Sequence, residues 1–166
     1  MGLAAAYKRW RHGRGYGVHS PYAFRMVCDV LRLPRGYAYH AYAPIATRRA
    51  ALRAPLPLGE AWLIYRLMVE FGARRVYIAA SGPARDLIAA ITAIAGATTA
   101  PRPEAADMLV VLDPGHTCPP LPAYYAYGGL ASLPAALPSG HIYANPRRAV
   151  AAPRPGIPYQ RIDIRF

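Results

Sequence analysis

Apolar residues change their spacing along the chain, and each change marks a predicted element. Apolar positions about 3.6 residues apart, on one face or all round, indicate helices. These helices are predicted at residues 20–33, 44–53, 60–71, 86–95 and 127–137, after a short basic helix that ends at Gly13. Short apolar runs and one alternating run indicate strands. These strands are predicted at residues 75–80, 107–112, 141–144 and 159–166.

Local features sharpen two of the helix predictions. Ser20 suits the N-cap of a helix, Pro21 suits its first turn, and Pro34 ends it. Arg66 and Glu70 are four residues apart on a helix that is otherwise apolar almost all round. This spacing predicts an ion pair on the single solvent-exposed face of that helix.

The order of the elements predicts the fold class. The strand at 75–80, the following helix and the strand at 107–112 form a β-α-β unit, which implies parallel strands in one sheet. The segment 159–166 alternates between apolar and polar residues, which predicts a half-exposed antiparallel strand at or near a sheet edge. We therefore expect an α/β fold with a reduced Rossmann-like, mostly parallel sheet of about four strands, an antiparallel C-terminal strand and an N-terminal helical layer.

Length and charge add a domain layout and a possible partner. The 166 residues suit one domain, with a basic N-terminal helical region at 1–58 and a Rossmann-like core at 59–166. The net charge is +12, and residues 1–53 hold ten of the 20 Lys and Arg residues against one acid, Asp29. Basic residues between 8 and 53 could bind nucleic acid or an anionic surface; the alternative is a solvated basic face.

Other features exclude several protein classes. Cys28 and Cys118 are not spaced as metal ligands, so no metal site is predicted. The longest apolar run, residues 87–97, is too short to span a bilayer, and no secretory signal is visible. These features predict a cytoplasmic protein without a transmembrane segment.

Three stretches together resemble one enzyme family. Residues 15–24 read GYGVHSPYAF, residues 59–67 read GEAWLIYRL, and residues 162–166 read IDIRF. In this order they resemble a family of small class I S-adenosylmethionine-dependent methyltransferases that is common in Bacteroidetes. The resemblance implies a parallel sheet with an antiparallel C-terminal strand, and an S-adenosylmethionine site at the carboxyl ends of the first strands.

The expected cofactor loop departs from the family pattern, which is roughly E-x-G-x-x-x-G. Ile78 stands in place of the acid, and Ala80 and Ala84 stand in place of glycines. Gly82 remains, and Pro83 removes a backbone N–H that could face the ligand. The carried-over cofactor-binding residues are Ala80, Ser81, Gly82 and Asp113. The alternative interpretation is an ordinary strand-to-helix turn.

The acid that holds the cofactor ribose is expected at the end of the next strand. Only ten residues separate Gly96 from Asp107, and a further β-α-β excursion needs roughly thirty. The second and third strands of the usual domain are therefore predicted to be absent.

The run from Asp113 to His116 reads DPGH and resembles the D-G-x-H stretch of the family. Asp113 is the candidate acid and His116 the candidate base near a substrate. An Asp-Pro-Gly turn that binds its own backbone is the alternative. For His19 and Ser20, a helix cap is favoured over a nucleophile pair, because adjacent residues at a helix start rarely face each other.

These observations predict a methyltransferase-like protein with an unknown methyl acceptor and with weakened or lost catalysis. The alternative is a basic nucleic-acid-binding or protein-interaction module on a Rossmann-like scaffold.

Overall fold

The computed structural model describes residues 3–12, 20–32 and 40–166. The predictions for Gly13, His19 and Pro34 lie outside the described residues. The helices are α1 (Leu3–His12), α2 (Pro21–Arg25), α3 (Tyr42–Leu52), α4 (Leu58–Glu70) and α5 (Gly82–Ile94). Helix α2 continues without a break into a wider π-helical turn, Met26–Leu31.

One sheet of seven strands forms the centre of the fold. The strands are β1 (Arg75–Ala79), β2 (Thr98–Ala100), β3 (Met108–Val111), β4 (Ala123–Ala126), β5 (Gly140–Asn145), β6 (Arg148–Pro153) and β7 (Gln160–Asp163). Their order in the sheet is β2-β1-β3-β4-β6-β5-β7. Strands β1 and β3 are parallel neighbours, as predicted, and the α/β, mostly parallel, Rossmann-like class is confirmed.

The C-terminal strand runs in the other direction from the one predicted. Strand β7 lies at the sheet edge as expected, but it pairs parallel to β5. The antiparallel strand is β6, which lies between β4 and β5. The tight turn before β6 reverses the chain, because the Asn145 side-chain oxygen accepts hydrogen bonds from the backbone N–H groups of Arg147 (2.9 Å) and Arg148 (3.1 Å).

The predicted deletion of the second strand is also wrong. Strand β2 pairs parallel with β1, with Thr98 opposite Arg75. It spans only three residues, so it fits into a connection that has no room for a full β-α-β excursion. The sheet therefore has seven strands instead of about four. The helix predicted at 127–137 is a 3-10 turn, Tyr127–Ser132, that follows the unpredicted strand β4.

Buried side chains form a layer on each face of the sheet. One layer packs Val76, Ile78 and Val110 of the strands against the apolar faces of α3, α4 and α5. The other joins Leu109, Val111 and other strand residues to loop residues such as Leu121, Leu130 and Leu133. Each fully buried leucine or isoleucine stabilises the fold by about 2 kcal/mol.

The N-terminal elements confirm one prediction and correct another. Ser20 caps α2, because its hydroxyl accepts a hydrogen bond from the Ala23 N–H at 3.3 Å. Arg66 does not pair with Glu70. Arg66 is buried under Val30 and Tyr42, to which its guanidinium donates hydrogen bonds, while Glu70 forms a salt bridge with Arg25. Contacts with residues outside α4 therefore decide the partners of Arg66 and Glu70, in place of their spacing along the helix.

Candidate functional site

The sheet topology places a crevice between the carboxyl ends of β1 and β3. From β1 the chain passes through α5 to β2 on one side, and then returns to β3 on the other side. Adjacent strands whose connections leave in opposite directions define a topological switch point, where open α/β sheets bind their ligands.

A cleft of about 260 Å³ lies at this switch point. We call it the switch-point cleft; its walls are Pro55, Leu56, Ala80, Ser81, Ala84, Leu112, Asp113 and Tyr127. Three of the four predicted cofactor-binding residues, Ala80, Ser81 and Asp113, therefore line the same cleft. The fourth, Gly82, follows Ser81 as the first residue of α5.

Gly82 is the residue that lets the chain turn from strand to helix. Its φ of +54° lies in the left-handed region, which side chains other than glycine rarely adopt. A Cβ atom there would meet nothing within 4 Å, so the conformation and not the space selects glycine. Pro83 occupies the first turn of α5 and Ser81 makes no side-chain cap. Fewer N–H donors therefore face the cleft than at an ordinary helix start.

Asp113 extends from the end of β3 and is half-buried. The backbone N–H groups of Leu112 and Asp113 both donate to the Ala79 carbonyl, at 2.8 and 3.0 Å. This pairing ties the ends of β1 and β3 together and fixes the wall from which the carboxylate extends.

His116 does not line the switch-point cleft. Its ring Nδ1 lies 3.4 Å from the Tyr77 hydroxyl, and its backbone N–H donates to Ser132 Oγ at 3.2 Å. Tyr77 packs on the second face of the sheet, away from α5. The structure thus brings Asp113, but not His116, to the site where the predicted acid and base would act together.

Sequence reasoning missed Tyr127, which covers one side of the cleft. Its backbone has a positive φ of +52°, and 52% of the residue is exposed. The turn that carries it crosses closely over the end of β3, where the Gly129 N–H donates to Leu112 O at 2.8 Å. A Cβ atom on Gly129 would lie 2.5 Å from the Val111 carbonyl carbon, so only glycine permits this approach.

Glu60 links the cleft to the neighbouring part of the sheet. Its Oε2 accepts hydrogen bonds from the hydroxyls of Tyr124 (3.0 Å) and Tyr127 (3.2 Å). Its Oε1 lies 3.4 Å from Arg148 Nη1. Burial, followed by the negative charge of Glu60, raises the pKa of Tyr124 well above its ordinary value. The same two causes raise the pKa of Tyr127, so both tyrosines remain protonated donors to the carboxylate.

A weak signal for this network exists in the sequence. Glu60 is an acid at the start of a helix whose other residues are mostly apolar, and Tyr127 precedes a Gly-Gly pair. The residues are 67 positions apart, and nothing local says that they meet.

Comparison with protein-family models, with curated proteins and with solved structures found no match for this chain. Among the described residues, no helix has the length and apolar character needed to cross a membrane. Nor do three or more His, Cys, Asp or Glu side chains in residues 3–12, 20–32 and 40–166 gather into a possible metal site.

Proposed function

We propose that the chain is an S-adenosylmethionine-dependent methyltransferase-like protein in which cofactor binding is weak and catalysis is weakened or lost. The observation that supports this proposal is the switch-point cleft. Ala80, Ser81 and Asp113, which the family resemblance selects for the cofactor, line it together. A cleft at this point of a mostly parallel sheet is where a nucleoside-type ligand is expected.

The size and lining of the cleft support weak binding. Its volume of about 260 Å³ is below the roughly 300 Å³ at which small-molecule sites usually begin. The methyl groups of Ala80 and Ala84 occupy space that glycines would leave open. Asp113 is the one carboxylate among the lining residues, and no residue of the lining can act as a base beside it.

Titration with S-adenosylhomocysteine, followed by amide NMR, tests this proposal. We expect shifts that need millimolar ligand and that are confined to the amides of Ser81, Gly82, Ala84, Asp113 and Tyr127. The Ala84→Leu variant, whose larger side chain fills the cleft, should lose these shifts while its other resonances stay in place.

Two results would contradict the proposal. Shifts confined to another part of the protein, or none at all, would remove the link to a methyltransferase cofactor. Saturation at micromolar ligand together with methyl transfer would instead indicate an intact enzyme.

A nucleic-acid-binding module on the same scaffold is the second candidate. Lys8, Arg48 and Arg53 are exposed, in the third of the chain that carries most of the excess positive charge. Phosphate contacts make binding strongly salt-dependent. A log-log plot of nucleic-acid affinity against salt should be steep for this candidate and flat for the methyltransferase-like protein.

A further inference from the structure

A second, larger cavity is lined by Gly59, the residue before Glu60, and by Arg148, the salt-bridge partner of Glu60. Its volume is about 510 Å³, well inside the range of small-molecule sites. We call it the arginine pocket, since four arginines line it. Its lining includes Arg32, Arg66, Arg148, Arg165, Trp62 and Phe166.

Arg66 carries a buried positive charge in the wall of this pocket. Only 4% of the residue is exposed. Its Nε donates to the Val30 carbonyl oxygen at 2.8 Å, and its Nη1 donates to the Tyr42 hydroxyl at 2.7 Å. Both acceptors are neutral. A buried ionic charge is costly unless an opposite charge compensates it.

The acids of the protein do not supply that compensation. All eight acidic residues lie in the described part of the chain. Their salt bridges engage Arg25, Arg75, Arg148 and Arg161. None of these salt bridges includes Arg32, Arg66 or Arg165. Among the four arginines of the pocket, only Arg148 forms a salt bridge with a carboxylate, that of Glu60, and its buried Nε has no hydrogen-bond partner in the described structure.

Flat, fixed rings form the other walls. The Trp62 ring stacks on Tyr42 with centroids 4.6 Å apart and an interplanar angle of 16°. Trp62 Nε1 also donates to Tyr42 O at 3.2 Å, which holds the ring in place. The Arg148 guanidinium lies over the Phe166 ring, 5.6 Å from its centroid. Rigid aromatic and guanidinium planes stack well against a planar ring.

We propose that the arginine pocket binds a small planar aromatic anion, meaning a ring that carries a carboxylate or a phosphate. The oxyanion would neutralise Arg66 and its neighbours through the two-pronged hydrogen bonds that guanidinium groups form. The ring would lie against Trp62 and Phe166. This inference needs no cofactor in the switch-point cleft, so it stands apart from the proposed function.

Three sets of probes separate the ring from the charge. The aromatic anions are 4-hydroxybenzoate and adenosine 5′-monophosphate. Their neutral counterparts are 4-hydroxybenzamide and adenosine, and the anions without a ring are acetate and inorganic phosphate. Isothermal titration should give an affinity for at least one aromatic anion that is more than tenfold above that for its neutral counterpart and for the matching ringless anion.

Arginine variants locate the binding. Arg66→Gln should lower the affinity for the aromatic anion at least tenfold, after a thermal melt has established that the variant folds. Arg165 is exposed, so Arg165→Gln should fold normally and weaken binding several-fold. Arg161, also exposed but outside the lining, is the matched control, and Arg161→Gln should bind as the parent does.

Any of three results would overturn the proposal. The first is equal affinity for the aromatic anions and their neutral counterparts. The second is an aromatic-anion affinity that Arg165→Gln and Arg66→Gln both leave unchanged. The third is displacement of the probe by single-stranded oligonucleotides whose affinity rises with their length, because stacked bases along a basic groove would then be the occupant.

Discussion

The switch-point cleft and the arginine pocket lie at the same end of the sheet, yet their linings differ in kind. The cleft is small, has a mostly apolar lining, and contains one carboxylate. The pocket is about twice as large and combines four arginines with flat rings. The cleft is where the topology leads one to look for a ligand, whereas the pocket has the chemistry that could hold one. One end of a sheet can therefore carry two cavities of different chemistry.

Glu60 connects the two regions. Through Tyr127 it supports the cover of the cleft, and through Arg148 it contacts the wall of the pocket. Substitutions at different points of this connection should therefore affect the two sites differently.

Gly129→Ala should produce the largest loss, about 3 kcal/mol of the free energy of unfolding, because overpacking against backbone cannot relax easily. The new methyl would overlap the Val111 carbonyl group. Tyr127 would also move away from the cleft. Urea denaturation measures the effect. Gly59→Ala is the control, since a Cβ atom there meets nothing within 4 Å; equal stability of the two variants would contradict the close approach.

Glu60→Gln should cost about 2 kcal/mol, since Arg148 loses its charged partner and two tyrosines lose a charged acceptor. Anion affinity in the arginine pocket should rise, because Arg148 is released to bind the ligand. Denaturation and titration measure the two effects. Glu104 is exposed, so Glu104→Gln should change stability by less than about 0.5 kcal/mol. If Glu60→Gln changes the free energy of unfolding as little as Glu104→Gln does, the hydrogen bonds and the salt bridge of Glu60 do not stabilise the fold.

Ser20→Ala should cost about 1 kcal/mol, the usual value of a side-chain N-cap. The capped helix leads to Leu31 and Arg32 in the arginine pocket, so anion binding should weaken slightly while the cleft is unaffected. Ser81→Ala is a matched control, because Ser81 precedes α5 without a side-chain cap bond. A denaturation midpoint that is the same in both variants would show that the Ser20 bond adds nothing.

The parallel half of the sheet could be predicted from the sequence because its signals are local. Strands β1 and β3 are apolar runs, and the Ser20 cap follows from two adjacent residues. Strands β4 and β6 are buried, but half of their residues are alanine and Val150 is their one β-branched residue, so the two tyrosines of β4 are the main strand signal in this part of the sequence. Whether β7 pairs parallel or antiparallel depends on which strand the connecting loop brings it to, and the alternation of apolar and polar residues does not specify that neighbour.

The residues of the two sites also differ in whether the sequence could place them. Ala80, Ser81 and Asp113 could be placed together, because carboxyl ends of neighbouring parallel strands share one edge of the sheet. The burial of Arg66 could not be predicted, since its acceptors are Val30, 36 residues away, and Tyr42, 24 residues away. The same holds for the meeting of Glu60 with Tyr127. Contacts between distant segments decide these positions.

The central claim, that the switch-point cleft has lost tight cofactor binding, is tested most directly by a thermal melt with S-adenosylmethionine or S-adenosylhomocysteine. A ligand present at a hundredfold excess over its Kd stabilises the folded state by about 2.7 kcal/mol, which would raise the melting temperature clearly. We predict that millimolar ligand leaves the melting temperature nearly unchanged. A clear rise that Gly82→Val or Asp113→Ala abolishes would contradict this account and assign an intact cofactor site to the cleft.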